Sequence, residues 1–131
     1  MMDDKQAVRT ESAPAPFQGA PYSQGIVSGD LVFVSGQLGI DPAAGRVVDG
    51  GIAEQTEQVM KNLAAILAEA GSGLDDVLMA SIFLIDLQDF QAMNEVYASR
   101  LSEPYPARAT VQIAALPSGA RIEIAVVARR P

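Results

Sequence analysis

The chain contains no cysteine and no histidine. Their absence removes disulfides, thiol nucleophiles, imidazole bases and the usual Cys/His zinc sites together. Any catalysis must therefore use Glu, Asp, Arg, Tyr, Ser, backbone groups and bound water. An all-carboxylate magnesium site stays open, although the acidic residues are scattered and show no ligand spacing. Basic charge is scarce too. Nine Lys and Arg face sixteen Asp and Glu, for a formal net charge of −7. Nucleic-acid binding rests on clustered cations that displace counterions from phosphates. The basic residues here are spread from Lys5 to Arg130, so no nucleic-acid partner is expected. No apolar run reaches membrane-spanning length, which predicts no membrane association. Met1-Met2-Asp3-Asp4 lacks the basic start and apolar stretch of a secretory signal, which leaves a cytoplasmic location as the expectation.

What is present suits a folded domain. Apolar residues make up 49% of the 131 positions and charged ones 19%, enough for one domain, residues 1–131, with a real core. Residues 1–20 mix prolines, a glycine and charges around a strand-like stretch at 7–11, and are expected to be partly flexible. Strands follow at 25–28 and 31–37, joined by a tight Gly29-Asp30 turn. Residues 41–51 read as a loop, with Pro42, Gly45, Gly50 and Gly51. The spacing of Ile52, Val59, Leu63, Ile66, Leu67 and Ala70 predicts a helix over 52–70, ended by Gly71. A strand at 77–85 precedes a second helix at about 87–101, which Asp86 can cap and whose inner face carries Phe90, Met93, Tyr97 and Leu101. Strands at 109–115 and 121–128 complete an α+β layer of two helices on one mixed sheet of about six strands. Both alternating sets of the 77–85 strand are apolar. Two helices cover one face of the sheet, so copies of the chain are the most economical cover for the other.

Two charged residues stand out. Arg108 opens an apolar strand, and Glu123 lies between Ile122 and Ile124 in the next, on the face of Ala125 and Val127. A guanidinium grips a carboxylate through parallel hydrogen bonds, and a half-buried carboxylate can orient water or carry a proton. The pair suggests a pocket for a small carboxylate-bearing substrate that reacts with water.

Pro106-Ala107-Arg108, Leu116 and Ile122-Glu123-Ile124 resemble the C-terminal signature of the RidA/YjgF family of imine deaminases. Pro21-Tyr22-Ser23-Gln24-Gly25, Val34-Ser35-Gly36-Gln37 and Asn94-Glu95-Val96-Tyr97 resemble three further motifs of that family, in matching order. The resemblance implies a chorismate-mutase-like fold, assembled as a homotrimer with sites in the clefts between subunits. It also implies hydrolysis of 2-imino acids or their enamines, such as 2-aminoacrylate and 2-iminobutanoate, to 2-keto acids and ammonia, with neither metal nor organic cofactor.

On that resemblance Arg108 binds the substrate carboxylate and Glu123 holds the attacking water and relays protons. The plain structural alternative for both is an ion pair at a subunit interface. Tyr22 closes the pocket, or merely packs. Ser35 and Gly36 let backbone approach the ligand; Ser35 has no base to make it a nucleophile. Asn94 lines the site wall, with a structural role the better expectation. Thr110 stands where many members carry cysteine, and Ala125 where some carry a second acid, so the substrate range can differ. A non-catalytic trimer that binds small carboxylates is the second reading, and an endoribonuclease or translation inhibitor a weaker third.

Overall fold

The computed structural model describes residues 5–131; the reading of Met1-Met2-Asp3-Asp4 lies outside them. A six-stranded sheet runs in the order β1-β2-β3-β8-β6-β7, made of β1 (Gln6–Val8), β2 (Gly25–Ser28), β3 (Leu31–Gln37), β6 (Val77–Leu84), β7 (Ala107–Gln112) and β8 (Ile122–Arg129). Only β6 and β7 pair in parallel, and the other pairs are antiparallel. The parallel pair requires a crossover, which the helix α2 (Phe90–Ser99) supplies. The helix α1 (Ile52–Glu69) connects β3 to β6 in the same way, with β8 inserted between them.

Sequence pattern explains most of this. All six stripe residues of α1 are buried, from Ile52 to Ala70. Glu54 Oε1 accepts the Gly51 N–H at 2.8 Å at the start of the helix, and that bond holds its carboxyl below the usual range. Gly29 supplies the turn between β2 and β3 with φ +59°, a left-handed conformation that glycine adopts freely. Asp86 Oδ1 accepts the Gln88 N–H at 2.9 Å and opens a 3-10 turn, Leu87–Asp89, which leads into α2. The second helix is thus shorter than the expected 87–101.

Other expectations need correction. Residues 41–51 are more than loop: β4 (Ile40–Asp41) and β5 (Arg46–Val47) pair as a small ribbon. Asn62, fully buried in α1, donates from Nδ2 to the carbonyls of Leu38 and Ile40 at 3.1 and 2.9 Å and ties that ribbon's base to the helix. The strand expected at 109–115 is instead β7, two residues earlier, because its ladder to β6 begins at Ala107 opposite Met79. The strict alternation read along 77–85 is broken by a register shift between Val77 and Met79. Val77 is therefore buried with Ala80, Ile82 and Leu84, while Leu78 is exposed. In the first twenty residues, Gln24 donates from Nε2 to the carbonyls of Thr10, Ala13 and Pro14 and accepts the Thr10 N–H.

The two faces of the sheet differ. One packs against α1 and α2 to form the core, with Val32, Ala80, Ile82, Leu84, Ile122, Ile124 and Ala128 almost fully buried. On the other, Phe33, Met79 and Val127 lie side by side in register, as do Phe83, Val111 and Glu123. Leu31, Phe33 and Val111 on that face are each exposed by more than a third. No helix of the described residues is long and apolar enough to cross a membrane.

Candidate functional site

Arg108 lies opposite Ala80 and Thr110 opposite Ile82 on β6. Side chains at paired positions share a face, and Ala80 and Ile82 face the helices. Arg108 and Thr110 therefore point toward α2. Arg108 Nη1 donates to Asn94 Oδ1 at 2.7 Å. Its Cζ sits 5.4 Å from the centroid of the Phe90 ring and 5.1 Å from that of Tyr97. Among the described residues Asn94 is the one hydrogen-bond partner of the guanidinium, so most of its N–H donors stay free for a ligand. The Thr110 and Tyr97 hydroxyls are buried and have no hydrogen-bond partner among the described residues.

Glu123 lies opposite Phe83, on the face away from the helices. The expected meeting of Arg108 and Glu123 in one pocket does not occur within a chain, because the sheet stands between them. Strand pairing explains this: β7 is an edge strand whose alternation is set by its register with β6, and the apolar or small neighbours on both of its faces hide that register from sequence. Glu123 is half-buried, and burial pushes its carboxyl above the ordinary glutamate range. Among the described residues it forms no ion pair.

The position of the carboxylate depends on a backbone irregularity. Between Val34 and Gln37 the ladder to β8 advances three residues on β3 for two on β8, which is a bulge at Ser35-Gly36. A Cβ on Gly36 would fall inside the Glu123 side chain, 2.6 Å from Cδ and 2.9 Å from Cγ. Only glycine leaves that space. The Ser35 hydroxyl donates to the Ser23 carbonyl at 2.6 Å, and the Gln37 amide donates to the Ser35 carbonyl at 3.1 Å. The Ser35 N–H also donates to the Gln24 carbonyl, so the bulge is bonded to the segment that carries Tyr22. The Tyr22 ring is 45% exposed, and its hydroxyl accepts the Phe17 N–H at 2.6 Å.

The seven candidate residues thus divide into two groups. Arg108, Asn94 and Thr110 gather beside α2. Glu123, Ser35, Gly36 and Tyr22 belong to the other face and its bonded edge. Phe90, Tyr97 and Gln37 were not expected to touch these groups. The spacing Phe90, Asn94, Tyr97 on one helix face was the available signal. A cleft of about 940 Å³ lies next to Tyr22, between the residues around Arg9 and Pro42, and includes neither Arg108 nor Glu123. Among the described residues no three acidic side chains gather as a metal site.

Comparison with known proteins agrees with this architecture. Residues 10–130 match the family described as Endoribonuclease L-PSP. The human protein named 2-iminobutanoate/2-iminopropanoate deaminase is 43% identical over 117 residues, which cover 89% of this chain and 85% of that protein. The crystal structure of RidA from an Antarctic Psychrobacter bacterium has a TM-score of 0.90 and 45% identity, covering 95% of this chain and 98% of the other. That of E. coli TdcF with bound serine has a TM-score of 0.88 and 33% identity, covering 96% and 99%. The chain belongs to the endoribonuclease L-PSP family, the family of RidA and YjgF.

Proposed function

We propose that the protein hydrolyses 2-imino acids and their enamine tautomers to 2-keto acids and ammonia, at a site that two copies of the chain complete together. The observation that carries this reading is the separation of an available guanidinium and a half-buried carboxylate onto opposite faces of one sheet. Arg108 lies on the edge strand β7, where a second copy can approach. Glu123 lies on an apolar face that needs a cover. Seating the open face of one copy against the β7–α2 edge of the next brings the two groups together. The cyclic homotrimer implied by the family resemblance repeats that contact and closes it. Helix α2 and Arg108 on β7 then come from one subunit, and Glu123 with the Ser35-Gly36 bulge and Tyr22 from its neighbour.

In this arrangement Arg108 holds the substrate carboxylate by paired hydrogen bonds and draws electrons from the adjacent imine carbon. Glu123, as carboxylate, takes a proton from a water placed over that carbon. The water oxygen bonds to the carbon, and the C=N double bond becomes single. Glu123 then returns the proton to nitrogen. Glu123 next takes the proton of the new hydroxyl and passes it to the amino nitrogen, so that the C–N bond breaks, ammonia leaves and the carbonyl forms. A raised carboxyl pKa suits this role, because it brings the group closer to the pH at which it must both accept and donate. Thr110 lines the arginine side of the pocket and Tyr22 the other. The deficit of positive charge weighs against RNA as the substrate. Binding of a small amino acid by TdcF favours a second reading, that of a non-catalytic binder of small carboxylates.

The test is keto-acid formation from freshly generated 2-aminoacrylate and 2-iminobutanoate. Acceleration by the wild type that Arg108→Ala and Glu123→Ala abolish supports the deaminase. A folded protein that binds 2-oxobutanoate but leaves the spontaneous rate unchanged would shift the reading to the binder.

A further inference from the structure

We propose that Phe90 and Tyr97 form an aromatic bracket that fixes the Arg108 guanidinium and thereby sets the protein's affinity for a carboxylate ligand. This inference rests on the carboxylate-binding reading of Arg108. Phe90, Asn94 and Tyr97 occupy positions i, i+4 and i+7 of α2, on one face of the helix. The Arg108 Cζ lies 5.4 Å from one ring centroid and 5.1 Å from the other, within cation–π reach of both. Asn94, in the middle, accepts from Nη1. Two rings and one amide oxygen contact the guanidinium, and its remaining N–H donors are where a carboxylate can bind.

The two rings differ in what they contribute. Tyr97 is 6% exposed and belongs to the core. Its hydroxyl has no partner among the described residues, so what it offers Arg108 is the ring face. Burial also raises its pKa, which keeps the phenol neutral and the attraction that of a ring quadrupole for a cation. Phe90 is 39% exposed in the single chain, at the rim of the site. An arginine on a flexible stem loses rotamer freedom when it binds a ligand. A bracket that has already taken that freedom leaves less to lose at binding. Ordinary packing would be served as well by leucine, and this separates the two explanations.

The experiment is calorimetric titration of the intact oligomer with 2-oxobutanoate, a stable carboxylate probe, alongside steady-state kinetics with 2-iminobutanoate. Phe90→Leu keeps the apolar bulk and removes the ring face. It is expected to weaken 2-oxobutanoate binding and raise KM by about three- to tenfold, with kcat within about twofold of wild type. Phe90→Tyr is expected to recover the affinity. Wild-type affinity in Phe90→Leu, with binding abolished in Arg108→Ala, would overturn the bracket and leave the carboxylate reading standing. Undiminished binding in Arg108→Ala would remove the carboxylate reading, and the bracket with it.

Discussion

The arginine and glutamate halves of the proposed site are built by different means. Arg108 is positioned by side chains of another element: Asn94 holds one nitrogen, and two rings of the same helix flank the charge. Glu123 is positioned by backbone, where a bulge in β3 leaves a gap that only a glycine preserves. The cation is held by groups that can be trimmed one at a time. The acid is held by a space that is either open or filled. Removal of supporting groups should therefore weaken the first half in steps and disable the second at once.

The largest effect is expected from Arg108→Ala. A charge-assisted bidentate grip on a carboxylate, once lost, lowers kcat/KM by about 10²- to 10³-fold. Asn94 then loses its partner, but the core strands do not, so the folded oligomer should persist by circular dichroism and sedimentation. Gly36→Ala comes next. The new Cβ would occupy the place of the Glu123 carboxylate, and a displacement of about 1 Å at a reacting group costs up to about 10²-fold in rate. Its signature should be a loss in kcat with unchanged 2-oxobutanoate affinity, because the arginine half is untouched. Loss of affinity instead would mean the two halves are not separate.

Glu123→Gln is the smallest perturbation and sharpens the electrostatic side of the comparison. Burial raises the folded-state pKa of Glu123 above its unfolded value. The folded state then binds the proton more tightly, so the contribution to stability is full below the unfolded pKa and is lost as pH rises through the folded one. A neutral glutamine carries no such loss. As a dissociated chain at pH 7, away from a neighbour's Arg108, the variant should unfold at a higher denaturant concentration than wild type, and the advantage should vanish at acid pH, below the ordinary glutamate range. An advantage that grows toward acid pH would show the sign to be wrong.

Much of the fold was legible because it follows from period. The α1 stripe is continuous, its ends are marked by glycines, and Glu123 between two isoleucines had to face away from the core. The two-faced apolar strand at 77–85 was legible as a sheet without enough helix to cover it. What was not legible depends on register between elements. The bulge at Ser35-Gly36 exists only against β8, and the bulge beside Leu78 likewise. The face of Arg108 depends on which residue of β6 it meets, and flanking alanines say nothing about that. The contact of Phe90 and Tyr97 with a guanidinium depends on how α2 crosses β7. The resemblance of four motifs named the candidate residues but could not divide them between two faces.

In the proposed assembly, each active site takes Arg108 from one subunit and Glu123 from another. Unfolding Arg108→Ala and Glu123→Ala chains together, then refolding them as mixed oligomers, tests it directly. Each variant alone should be inactive. If every site draws its arginine and its glutamate from different chains, random mixing should leave about a quarter of the sites with both intact, and activity should return to about that fraction of wild type. Mixed oligomers as inactive as either parent would contradict the claim, because no chain in them carries both residues.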